Sequence, residues 1–112
     1  MNDSISKIDP SLTWEKLQHF AENQYFERKS ARIQPKDIAH HISAMANASG
    51  GVVAVGIEDS GAITGISDAQ ENVLRQVPLD YLQKVPELKV ETITSEDGVK
   101  VFLFHISPMP DD

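Results

Sequence analysis

The sequence predicts a single α+β domain, with a small mixed or antiparallel sheet of about five strands packed with two or three helices. Three observations carry this expectation. Apolar residues recur at helical spacing near residues 14–21 and 38–46, whereas residues 52–57 read Val-Val-Ala-Val-Gly-Ile, a nearly continuous apolar run. Further on, two apolar segments flank Asp97-Gly98, the dipeptide that most strongly marks a tight hairpin.

The first helix is expected over residues 12–22, capped by Ser11 or Thr13, with Trp14, Leu17, Phe20 and Ala21 on one stripe and Glu15 near its positive end. Residues 1–11 precede it as a flexible segment. A short strand follows over residues 25–29, and its period of two puts Glu27 and Lys29 on one face. Pro35 opens a second helix over residues 36–48, buried through Ile38, Ile42, Met45 and Ala46 and ended by Gly50 and Gly51. The apolar run at residues 52–57 is then a central strand covered on both faces. Glu58-Asp59-Ser60-Gly61 has turn composition, and residues 62–66 return as a paired strand. Ser67 and Gln70 have capping-box spacing, so a third helix starts at Asp68 and reaches about Gln76, with Pro78 interrupting it and a helical turn near Tyr81. Residues 89–94 and 99–106 form the closing hairpin across a two-residue turn. The domain therefore spans residues 12–107. Residues 108–112 end without a cap, and we expect them to begin a remainder that carries further domains.

A chain of 112 residues fits one modest core and excludes a helicase motor or a two-domain enzyme within it. Its 40% hydrophobic and 24% charged residues are those of a globular protein, not a disordered tail. No apolar run reaches membrane-spanning length, the polar start lacks signal-peptide order, and a cytoplasmic location is expected. The absence of cysteine removes disulfides and thiolate metal sites. A net charge of −7 argues against gripping nucleic acid by bulk electrostatics. The charge is uneven, however: residues 1–57 carry six acidic and six basic side chains, and residues 58–112 carry eleven acidic and four basic. Arg28, Lys29, Arg32 and Lys36 lie in one stretch with no carboxylate among them. These four are the candidate phosphate contacts, and a solvated connection beside a strand is the plain alternative.

Other candidates are weaker. His40 and His41 are adjacent on a helix, point in different directions and lack zinc spacing, so they read as helix-surface and core-edge residues. The segment from Gly50 to Gly56 has neither G-x-G-x-x-G nor G-K-[ST] and runs helix to strand, which excludes a phosphate loop. Trp14, Phe20, Phe26, Phe102 and Phe104 sit at periodic positions that belong to a core more often than to base stacking.

Three stretches form an ordered pattern: Glu22-Asn-Gln-Tyr-Phe-Glu27-Arg-Lys29-Ser30, then Ile42-Ser-Ala-Met-Ala-Asn47-Ala-Ser-Gly50-Gly51, then Val53-Ala-Val-Gly56-Ile-Glu-Asp59-Ser-Gly61 with Gly65 beyond. Together they cover about half the chain and resemble the Schlafen AlbA-type domain of bacterial regulator-like, RecG-helicase-related and animal Schlafen proteins. The matching parts are a Glu, an E-x-K strand, an A-x-A-N-x-x-G-G helix exit and a G-V-x-D-x-G strand and turn. Two departures are visible. We expect the family's final extended stretch and strand to be missing after Asp112, and the apolar strand before E-x-K is reduced to Tyr25-Phe26.

The resemblance implies a nucleic-acid-binding domain, DNA or RNA, of a regulator-like or RecG-related protein active in transcription regulation or helicase work. In nuclease-active animal relatives two glutamates, a lysine and an aspartate form a metal-dependent ribonuclease site. By motif position these resemble Glu22, Glu27, Lys29 and Asp59. Hard carboxylate oxygens suit Mg²⁺ or Mn²⁺, which polarises a phosphodiester and activates water while an ammonium offsets developing charge. Glu22, Glu27 and Asp59 would be the metal ligands if their strands are adjacent. The plain alternatives are an ordinary Glu27–Lys29 ion pair and a turn-shaping Asp59. Three functions follow as expectations: nucleic-acid binding through Arg28, Lys29, Arg32 and Lys36; divalent-metal-dependent endoribonuclease action; and a protein-interaction module whose acidic half binds a partner or a second copy. Salt-dependent binding, cation-dependent cleavage and concentration-dependent association distinguish them.

Overall fold

The computed structural model describes residues 14–19 and 22–109. In chain order the elements are α1 (Trp14–His19), β1 (Phe26–Lys29), α2 (Pro35–Ala46), β2 (Gly51–Val55), α3 (Asp68–Tyr81), β3 (Leu88–Thr94) and β4 (Lys100–Ile106). The strands form one sheet in the order β1-β2-β4-β3, with β1 parallel to β2 and the other pairs antiparallel. This is the expected α+β class with a mixed sheet. Phe20, Ala21 and the expected caps of the first helix lie outside the described residues.

The apolar run behaves as a doubly covered strand should. Alternation sends Val53 and Val55 toward α2 and α3, where they join Ile38, Ile42, Leu74, Val77, Phe102 and Phe104 in one core. Val52 and Ala54 face the other way, into a second core with Leu17 of α1, Phe26, Ile57, Val101 and Leu103. Helix α2 connects the two parallel strands, so β1-α2-β2 forms a crossover unit with both strands ending at the same side of the sheet.

Four details differ from the sequence expectation. The described sheet has four strands instead of about five, because residues 62–66 form no ladder. Their backbone is taken up by a loop: Gly56 O accepts hydrogen bonds from both Thr64 N and Gly65 N, at 3.0 and 2.8 Å. Only single bridges remain, Ile57 to Ile63 and Ile66 to Lys100. Helix α2 ends at Ala46, with residues 47–49 in a turn and Gly50 N reaching back to Met45 O at 2.8 Å. Helix α3 runs through Pro78 to Tyr81, and buried Leu74, Val77 and Pro78 explain why. Their burial against the core offsets the roughly 3 kcal/mol cost of an interior proline. Last, the β3–β4 turn is a three-residue loop, Glu96-Asp97-Gly98. Ser95 N donates to Val99 O at 2.9 Å and Gly98 N to Ser95 O at 3.0 Å, with Gly98 at φ 86°, a turn plus bulge.

Helix α3 starts with the expected capping box, Ser67 Oγ accepting from Gln70 N and Gln70 Oε1 accepting from Ser67 N. Glu71 then ties the helix to the sheet, accepting hydrogen bonds from Thr92 Oγ1, from Lys100 Nζ at 3.0 Å and from Arg75 at 3.2 Å. Asp68 shares the Lys100 ammonium. The Thr92 hydroxyl first, and Lys100 next, hold the Glu71 carboxyl down at about 2 from an ordinary 4.5. A carboxylate lowered by folding stabilises above its unfolded pKa and stops doing so as pH falls through its folded one. Stability is therefore expected to decline between about pH 4.5 and about pH 2. Acid titrations of the parent and Glu71→Gln by circular dichroism test this. The variant should lose much of that slope, and identical acid limbs would remove Glu71 from the account.

Candidate functional site

Parallel pairing aligns Phe26 with Val52 and Lys29 with Val55, so the segments after β1 and β2 leave the sheet side by side. Open sheets place ligand crevices outside such carboxyl ends. Here the segment after β1 turns into the first turn of α2, and the segment after β2 makes the Glu58–Gly61 turn, whose Gly61 N donates to Glu58 O at 2.8 Å. Between them lies a surface depression whose lining includes Lys29, Arg32, Asp37, His40, His41 and Asp59.

The expected shared face of Glu27 and Lys29 is present, with Lys29 Nζ 3.1 Å from Glu27 Oε1. His41 of α2 approaches the same oxygen, its Nδ1 at 3.6 Å. Arg28 points elsewhere. Its Nη2 donates to Asp59 O at 3.2 Å and so ties β1 to the Asp59 turn, while its buried Nε has no hydrogen-bond partner among the described residues. Arg32 is 80% exposed at its side chain and reaches Glu58 Oε1 at 2.6 Å, while Glu58 Oε2 accepts from Thr64 Oγ1 at 2.8 Å. The Thr64 hydroxyl, then Arg32, hold the Glu58 carboxyl below its ordinary value. Lys36 is exposed in the first turn of α2 and makes no ion pair among the described residues.

The three carboxylates expected as metal ligands are engaged separately. Glu22 Oε2 accepts the Arg28 backbone N–H at 2.9 Å, Glu27 faces Lys29 and His41, and Asp59 is exposed at the turn. Their strands are adjacent as required, yet among the described residues no three His, Asp or Glu side chains gather in a group that could hold a metal ion.

Asp37, His40 and His41 join the depression although the sequence marks none of them as a site residue. Asp37 stands at i to both histidines at i+3 and i+4, so the two, diverging from each other, still flank it on one side of α2; that spacing is the available signal.

Residues 22–112 match the family model described as Schlafen, AlbA_2. No curated protein matches the chain. Among solved structures, the N-terminal domain of a DNA helicase RecG-related protein from Nitrosomonas europaea superposes with a TM-score of 0.59 at 22% identity, covering 87% of this chain and 71% of that one. The DIP2311 protein from Corynebacterium diphtheriae gives 0.57 at 22% identity, covering 79% of this chain and 18% of that one. Both likenesses concern the fold. No helix among the described residues is long and apolar enough to cross a membrane.

Proposed function

Because the chain belongs to the Schlafen AlbA_2 family, we propose that it is a nucleic-acid-binding domain that meets the phosphate backbone at the carboxyl ends of β1 and β2. One observation carries the reading: the basic stretch of an otherwise acidic chain lies at this end of the sheet, with Lys29 and Arg32 lining the depression and Lys36 exposed in the first turn of α2. The RecG-related neighbour adds support by context, since its name concerns a DNA helicase.

The local ion pairs suit an exchange. Exposed pairs such as Arg32–Glu58 contribute about 0–1 kcal/mol, so a phosphate can replace the carboxylate at little cost. Lys29 can turn from Glu27 in the same way, and Lys36 needs no release. Arg28 serves by fixing the turn that carries Asp59. Three cations replacing counterions give a log–log salt slope of about −2.1 to −2.7, an affinity loss of about 20- to 40-fold between 50 and 200 mM salt.

Fluorescence anisotropy with single-stranded DNA, single-stranded RNA and duplex DNA tests the proposal. Binding of at least one probe with that slope is expected, and no binding to any at 20 mM salt, or binding insensitive to salt, would contradict it. Incubating the same RNA with Mn²⁺ tests the endoribonuclease alternative. Intact RNA is the expected result, whereas metal-dependent cleavage abolished by Glu27→Gln would establish the nuclease instead.

A further inference from the structure

The far edge of the sheet carries a self-complementary pattern. Among the described residues strand β3 pairs only with β4, and its other side is open. Which backbone groups face outward follows from the ladder. Ser107 N donates to Glu87 O and Ser95 N to Val99 O, both at 2.9 Å, and both pairs lie in the β3–β4 register. Hydrogen-bonded pairs alternate along an antiparallel ladder, so Lys89, Glu91 and Ile93 also bond to β4. The N–H and C=O groups of Leu88, Val90, Thr92 and Thr94 therefore point to the open edge. Among the described residues no backbone bond closes them.

Side chains at the edge are set for one register. Lys89 and Glu91 share the sheet face away from α2 and α3, because Val90 between them packs on the α2–α3 core. Lys89 is exposed and makes no ion pair among the described residues. Glu91 Oε1 lies 2.7 Å from Nε2 of buried His105, which fixes the carboxylate while the Glu91 side chain stays 40% exposed.

We propose that β3 is a self-association edge, joining a second copy of this chain by antiparallel β3–β3 pairing about a two-fold axis at Val90. Parity requires outward residues to bond to outward residues. Centring on Val90 satisfies this and sets Lys89 of each copy opposite Glu91 of the other, at non-hydrogen-bonded positions where side chains come closest. Moving the axis to Lys89 puts two ammonium groups opposite each other, and moving it to Glu91 puts two carboxylates there. Charge complementarity therefore favours a second copy as the occupant and the Val90 register over those centred on Lys89 or Glu91, and the sheet continues from one copy into the next. The inference is independent of the nucleic-acid reading, which concerns the opposite edge of the sheet.

Sedimentation equilibrium from about 10 μM to 1 mM tests it, within the affinity range of weak interfaces. The parent should associate to a dimer. Lys89→Glu should weaken the dimer about tenfold or more, and adding Glu91→Lys should restore it to within about threefold, since the pair is exchanged and not lost. Val90→Pro removes only an outward N–H, a change that edge strands tolerate, and should give a folded monomer by circular dichroism. A parent that stays monomeric throughout the range, or a dimer that survives Val90→Pro in the folded protein, would overturn the proposal.

Discussion

Replacing Gly51 by Val is expected to lower the melting temperature by about 10 °C or more, from a cost of roughly 2–4 kcal/mol. Two causes combine at this position. Its φ of 148° lies in a region that side chains rarely adopt. A Cβ built there would also lie 2.6 Å from Tyr25 O, far inside contact distance. That oxygen is not free to move, because it accepts the Val52 N–H at 2.8 Å in the first link between β1 and β2. Relief of the clash therefore opens the parallel pair that positions Lys29 and Asp59. Gly98→Ala is the matched comparison: its φ is 86°, but a Cβ there meets nothing within 4 Å. It should cost about 1–2 kcal/mol of backbone strain alone. Thermal melts of both variants decide the matter, and a Gly51→Val melt equal to the parent's would remove the double glycine from the structural account.

How far the sequence could be read depended on whether a feature is local. Residues 52–57 announced a doubly covered strand because so long an apolar run has no polar face to give to water, and β2 is buried along its whole length. The capping box at Ser67 and Gln70 is equally local and is present as read. The course of α3 was not legible, since Pro78 costs the helix locally and only packing with Leu74 and Val77 offsets it. The strand expected at residues 62–66 failed for a similar reason: Gly56 O takes two of its amides, which no spacing in the sequence foretells.

The candidate site shows the same division. That Glu27 and Lys29 share a face follows from the strand period, whereas the arrival of His41 at Glu27 depends on how α2 packs. Arg28 read as a phosphate contact because it sits in a basic stretch. Only the pairing of β1 with β2 brings Asp59 O within its reach. The motif marks Glu22, Glu27 and Asp59 as positions in the sequence, not as neighbours in space. Their separation is set by the hydrogen bond from Arg28 N to Glu22 and by the turn after β2, which are tertiary facts.

The second large effect is expected at the basic surface itself. Changing Lys29, Arg32 and Lys36 together to Gln removes the two cations that line the depression and the exposed Lys36 in the first turn of α2, while leaving Arg28 bonded to the Asp59 carbonyl. The broken pairs, Lys29–Glu27 and Arg32–Glu58, are surface pairs that contribute about 0–1 kcal/mol each, so the fold should persist with little change in melting temperature. Affinity should suffer far more. Three lost phosphate contacts at about 1 kcal/mol each correspond to a loss of roughly a hundredfold or more at low salt. Arg28→Ala should behave in the opposite sense, lowering stability through the loosened turn. The decisive measurement is the anisotropy titration of the triple variant against the parent, with the same oligonucleotide at several salt concentrations. The account predicts a folded variant whose binding is lost or nearly lost and whose residual salt slope approaches zero; a variant that binds as tightly as the parent, with the same slope, would contradict it.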